Sequence, residues 1–187
     1  IIEKDLSALV KLAVKNGKLE AFNKIQKSDI YIICVPTPLN KNSNIPQPNI
    51  EYVSSAFVSI ASFIKPNDLI ILESTSPVGT TEKMKKILVD HGANLTDVHI
   101  AYCPERVLPG KIITELVEND RIVGGLSPLA TKKAADFYRL FVNGKIFETD
   151  TKTAEMCKLT ENSFRDLNIA FANELSMLCD NQGIDVW

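Results

Sequence analysis

Alternating strand and helix patterns predict an α/β protein built on a parallel sheet, followed by one long helix. Three observations carry this. Short apolar runs at Asp29–Val35, Asp68–Glu73 and Val98–Tyr102 are each bounded by turn residues. Each run ends in Pro and polar residues: VPTP (35–38), ESTSPVG (73–79) and YCPER (102–106). The stretch Thr151–Asp180 then runs thirty residues without Gly or Pro.

In chain order, residues 5–16 have helical spacing through Leu6, Leu9, Val10 and Val14, ended by Gly17. Asp29–Val35 is nearly all apolar, which suits a strand buried on both faces of a parallel sheet. Residues 39–48 read as a polar loop, and a helix follows over Ile50–Ile64, stopped before Pro66. Asp68–Glu73 is a second buried strand, after which Thr80 or Thr81 caps a helix to about Asp90. Val98–Tyr102 is a third strand, followed by a mixed loop with a short helix through Glu118. Arg121–Val123 is a short strand that Gly124-Gly125 should break. Pro128–Leu140 is a helix, and Lys145–Glu148 is the last strand before the long helix.

The chain has 187 residues, 45% hydrophobic and 24% charged, with a net charge of −2. That balance gives no basic footprint for nucleic acid. No apolar run reaches the length that spans a bilayer, and no signal-peptide pattern is present. Cys34, Cys103, Cys157 and Cys179 fit no zinc spacing, so reduced thiols and a cytoplasmic location are the default. Cys34 lies in an apolar run and Cys157 on an apolar helix side, so both are expected in the core. His91 and His99 stand alone and suggest surface or strand-edge roles.

At 100° per residue, Cys157, Thr160, Phe164, Leu167, Phe171, Leu175 and Leu178 share one side of the long helix. Lys158, Asn162 and Arg165 rise from another patch, about 60° wide. A titratable cation, an amide and a bidentate cation together suit an anionic or polyhydroxyl ligand. The competing reading is a plain solvated helix face. In parallel α/β sheets, ligands sit outside the carboxyl ends of the strands, which favours the first reading. A βα turn contains Pro, Gly, Ser and Thr on its own account, so it is the run of three such ends that points to a site.

A dinucleotide fold opens with a strand, G-x-G-x-x-G and an acidic residue about 20 positions on. The chain has no such pattern: Gly17, Gly79, Gly92 and Gly110 are isolated. Either no dinucleotide binds, or the first βαβ unit lies outside these residues; we read the chain as a piece of a longer protein.

VPTP (35–38), ESTSPVGTT (73–81), YCPERVLPG (102–110), LVENDRIVGG (116–125) and AEMCKLTENSFRDLNIAFANEL (154–175) resemble consecutive motifs of the nucleotide-sugar 6-dehydrogenases. This is the UDP-glucose/GDP-mannose dehydrogenase superfamily, and the order and spacing agree over nearly the whole chain. CPERVLPG followed by ENDRIVGG most resembles the branch acting on UDP-N-acetyl-D-mannosamine. The resemblance implies a partial Rossmann-type NAD-binding domain (1–149) leading into a central connecting helix (150–187). It implies a twofold, NAD-dependent oxidation of a sugar C6 alcohol to a carboxylate. By motif position, Thr37 and Thr75 would contact NAD. Arg106, Val107, Asn162 and Arg165 would contact the UDP-sugar. Lys158 would handle protons and also touch substrate, Asn162 would assist it, and Glu105 would act as an acid–base or water-positioning group. The family's nucleophilic Cys and its UDP-binding domain match no residue here, so these residues alone are expected to be inactive. The apolar side of the central helix is expected to pack on a further domain or on a twofold-related copy, as a homodimer through that helix. UDP-glucose, UDP-N-acetylglucosamine and UDP-N-acetylgalactosamine remain alternative substrates, and a non-catalytic association module remains an alternative role.

Overall fold

A computed structural model of the chain describes residues 3, 5–40 and 45–187. Five strands form the main sheet: β1 (Ile30–Ile33), β4 (Leu69–Leu72), β5 (His99–Tyr102), β6 (Arg121–Gly125) and β7 (Ile146–Asp150), side by side in that order. Two short strands, β2 (Leu39–Asn40) and β3 (Gln47–Pro48), pair antiparallel within the stretch expected to be a polar loop. Among the described residues there are six helices: α1 (Leu6–Lys15), α2 (Glu51–Ile60), α3 (Thr80–Asp90), α4 (Ile112–Glu118), α5 (Pro128–Tyr138) and α6 (Thr151–Asn181).

The strands β1, β4 and β5 are parallel, as expected, but β6 pairs antiparallel with β5. The sheet is therefore mostly, not wholly, parallel. Ala101 faces Gly125 and Tyr102 faces Gly124 in that pair, and β7 runs parallel to β6. The reversal decides where α6 starts. Because β7 ends level with the middle of β5, α6 must return across the sheet face toward the carboxyl ends of β1, β4 and β5.

Alternation along the central strands divides the core in two. Ile70, Leu72, Ile100 and Tyr102 pack with Val53 and Phe57 of α2, Met84 and Leu88 of α3, and Ala154 of α6. Leu69, Ile71, Ala101 and Cys103 face the other way, onto Ala134 and Tyr138 of α5. All four residues of β4 are buried, which explains its unbroken apolar sequence. The expectation for β1 fails on one face. Tyr31 and Ile33 are buried, but Ile30 and Ile32 are exposed, because α5 lies over β4, β5, β6 and β7 and not over β1. Cys34 shares this uncovered side and is exposed rather than core. Cys157 is half-buried, while Cys103 is buried. His99 takes the strand-edge alternative rather than the surface one: it opens β5 and is buried, and burial lowers its pKa. His91 is exposed, with Nδ1 beside the Ile87 carbonyl.

The pair Gly124-Gly125 does not break β6; both glycines are part of it. They are needed for close approach. A Cβ on Gly124 would run into the Asp150 carbonyl and the Thr151 nitrogen, and one on Gly125 into the backbone at Ser127 and Ala130–Thr131.

The long helix forms as its sequence predicts. Asp150 caps it by accepting from the Thr153 backbone N–H at 3.0 Å and from the Thr153 hydroxyl at 2.7 Å. Its first turns pack down, with Thr151, Ala154 and Glu155 buried. From residue 163 to 178 every residue is exposed, including Phe164 at 70%, Leu167 at 71% and Phe171 at 69%. The apolar side of α1 is likewise exposed at Leu6, Leu9, Val10 and Val14.

Candidate functional site

The carboxyl ends of β1, β4 and β5 are tied into one edge. Glu73 N–H donates to Ile33 O at 3.0 Å, and Cys103 N–H to Leu72 O at 3.0 Å. The Ser74 hydroxyl donates to Val35 O and accepts from Val35 N–H, each at 2.8 Å. Thr37, Thr75 and Glu105 follow these three strand ends, so the expected shared edge exists. Thr37 and Thr75 are half-buried, and neither hydroxyl bonds to another described residue.

Beyond this edge lies a cleft of about 230 Å³ lined by Arg106, Val107, Lys158, Glu161 and Arg165. The β5–α4 loop supplies the first two and α6 the rest. The structure thus brings together four of the sequence-predicted residues, and Asn162 flanks them by accepting from Arg165 Nη2 at 2.6 Å. Thr37 and Thr75 belong to the same sheet edge but do not line this cleft. The polar patch of α6 turns toward the α/β core, and it is the apolar side that faces outward.

Lys158 is half-buried and donates from Nζ to the Glu105 carbonyl. Its pKa is lowered, first by burial and then by the Arg165 guanidinium about two helical turns on. Arg106 lowers it too, while Glu161 and Glu105 pull it back up. The Glu105 carboxylate folds onto its own loop, accepting from the N–H groups of Arg106 at 2.6 Å and Val107 at 3.0 Å. Its other oxygen lies 3.6 Å from Arg121 Nη1.

Three residues escaped the sequence reading. Glu161 forms a two-point ion pair with Arg106, through Nε at 3.0 Å and through Nη2. Its place between Lys158 and Arg165 on one helix side was visible, but its partner is 55 positions away. Arg121 is 2% exposed, with its guanidinium 5.4 Å over the Tyr138 ring and Nη2 donating to Leu116 O at 3.2 Å. Glu155 is fully buried and caps α3, a role expected of Thr80 or Thr81. Gly79 instead occupies the cap position with φ 88° and makes no side-chain cap.

The thiols at the sheet are poor nucleophiles. Cys34 Sγ donates to Glu73 Oε2 at 3.1 Å, and desolvation and that bond push its pKa up to about 12. Burial pushes Cys103 up to about 12 as well.

Residues 1–142 match the NAD binding domain of the UDP-glucose/GDP-mannose dehydrogenase family, and residues 152–187 match its central domain. The chain is 50% identical to UDP-N-acetyl-D-mannosamine dehydrogenase of Yersinia pestis, over 100% of this chain and 46% of that protein. It is 48% identical to NDP-N-acetyl-D-galactosaminuronic acid dehydrogenase of Ralstonia solanacearum, with the same coverage. The solved UDP-D-ManNAc dehydrogenase of Pyrococcus horikoshii superposes with a TM-score of 0.92 at 42% identity, over 100% of this chain and 45% of that one. The chain thus spans about half the length of the relatives it matches. On the two matched domains together, the chain belongs to the UDP-glucose/GDP-mannose dehydrogenase family.

Proposed function

We propose that these residues are part of an NAD-dependent nucleotide-sugar 6-dehydrogenase that oxidises the C6 alcohol of UDP-N-acetylmannosamine to the carboxylate. The observation that carries this is Lys158, an amine of lowered pKa in a cleft lined by Arg106 and Arg165 beside the carboxyl edge of the sheet. Such an amine can take the hydroxyl proton when an alcohol loses hydride. Arg106, Arg165 and the Val107 loop hold the negative and hydroxyl-rich sugar nucleotide, and Asn162 offers an amide N–H to an oxyanion. Glu105 orients the water whose oxygen completes the carboxylate. NAD, when bound, supplies the hydride acceptor. The hydroxyls of Thr37 and Thr75 at the open strand ends suit the polar groups of such a cofactor. These 187 residues form the NAD-binding part (1–149) and the connecting helix (150–187).

The test uses a polypeptide of the relatives' full length that contains these residues. With NAD and UDP-N-acetylmannosamine it is expected to yield two NADH per sugar. Preference for UDP-glucose, UDP-N-acetylglucosamine or UDP-N-acetylgalactosamine would replace the substrate; no NADH from any of the four would overturn the reading. In the same polypeptide, Arg106→Ala is expected to raise KM for the sugar nucleotide about tenfold with kcat nearly unchanged, as when binding is lost equally in ground and transition states. A kcat loss at constant KM would instead make Arg106 part of the chemistry.

The exposed stripe of Phe164, Leu167 and Phe171 supports a homodimer through α6. Light scattering that gives a monomer at micromolar concentration would reject it. The four free thiols support a cytoplasmic location. No helix among the described residues is long and apolar enough to cross a membrane.

A further inference from the structure

Glu155 is the one fully buried carboxylate on α6, and its partners all belong to another element. Oε2 accepts from the Gly79 N–H; Oε1 accepts from the Thr81 N–H at 2.8 Å and from the Thr81 hydroxyl at 2.7 Å. The first N–H groups of α3 have no intrahelical acceptor, and the positive end of the helix dipole lies there. An anion from a distant helix therefore supplies what a local cap would supply. Gly79 is required for it: φ 88° turns its N–H alongside that of Thr81 without a Cβ in strain.

The segment so fastened is also bonded within itself. The Ser76 hydroxyl donates to Ser74 O at 2.8 Å, the Thr80 hydroxyl to Pro77 O at 2.6 Å, and Thr80 N–H to Pro77 O at 3.1 Å. Thr75 lies inside it. On the other side, Glu155 stands one turn before Lys158 on the same side of α6, since three residues turn the helix to within about 60°. One carboxylate thus joins the β4–α3 turn, on the cofactor side, to the helix that carries the proton-handling amine.

We propose that Glu155 is a positioning residue, which fastens the Thr75-bearing turn to α6 and so sets where Lys158 stands relative to the cofactor. This rests on the dehydrogenase reading above. Glu155 is buried with both oxygens bonded to Gly79 and Thr81, and acts through α3 and α6. The groups that face Lys158 are Glu161 and Arg165 on α6, and Glu105 and Arg106 from the β5–α4 loop. Loosening α6 changes its distance from all the loop groups at once.

The test is Glu155→Gln in the full-length enzyme. Glutamine keeps the shape but offers one acceptor oxygen, so it cannot serve both Gly79 and Thr81. The expected result is a 10- to 100-fold fall in kcat, with KM for NAD and for the sugar nucleotide within about threefold. That is the scale of a misplacement on the order of 1 Å. A second readout is independent of turnover: the pH dependence of Lys158 acylation, followed by mass spectrometry, is expected to shift to higher pH as burial of the amine weakens. Thr81→Val removes only the hydroxyl arm and is expected to give a smaller change in the same direction. Wild-type kcat and an unmoved acylation profile in folded Glu155→Gln would overturn the proposal, as would loss of kcat in Thr81→Val alone. A wild-type enzyme that oxidises no nucleotide sugar overturns the functional reading instead. In that event a shifted acylation profile still upholds the fastening of α6, and an unmoved one rejects it.

Discussion

Lys158→Ala is expected to lower kcat by about 100-fold or more in the full-length enzyme, the usual scale for a general acid–base group. The amine is placed by two independent features: α6 brings it to the strand ends, and its Nζ is held by the Glu105 carbonyl. Its pKa is lowered mainly by burial, then by Arg165. In the proposed role the neutral amine is the base, so the rate is expected to rise with pH through that lowered value. Arg165→Met removes one lowering cation and should move this rise to higher pH, while Glu161→Gln removes a raising anion and should move it to lower pH. The stability linkage has a definite sign. A lysine whose folded pKa lies below its unfolded value binds fewer protons when folded, so stability rises with pH between the two values. Turnover of Lys158→Ala within twofold of wild type, at saturating NAD and sugar nucleotide, would reduce the patch to a solvated helix face.

Gly124→Ala is expected to destabilise the fold by about 3 kcal/mol, at the upper end for overpacking a filled site. The added methyl meets the carbonyl of Asp150 and the nitrogen of Thr151, which are backbone and cannot rotate aside. Gly124 does not have positive φ, so the cost is steric rather than torsional. Either β6 and β7 part, or the start of α6 moves and carries Lys158 with it. Urea denaturation checks this; a midpoint unchanged from wild type would show that the strand pair can absorb a methyl group at no cost. The same substitution at Gly110, where a Cβ meets nothing within 4 Å, tests only the left-handed backbone.

What the sequence determined by itself was local. The apolar runs at 69–72 and 99–102 became strands because every residue in them is buried, and the uninterrupted stretch from Thr151 became one helix because nothing in it breaks the backbone ladder. The three strand ends follow from the Pro and polar residues that close each apolar run, and the Lys158–Asn162–Arg165 patch follows from helical steps of three and four. Tertiary structure decided whatever depended on distant partners. The two glycines of β6 looked like a break because composition shows the missing side chain, not the Asp150 backbone that needs its space. The uncovered face of β1 is decided by where α5 lies, which no residue of β1 encodes. The cap of α3 was assigned to a threonine beside it, whereas the carboxylate that caps it is 74 positions from Thr81. Arg121 reads as an ordinary strand charge until the sheet buries it behind Glu105. The reversal of β6 belongs to the same class: strand direction depends on which edge the chain returns to. Here that reversal turns the polar side of α6 onto the carboxyl ends of the parallel strands.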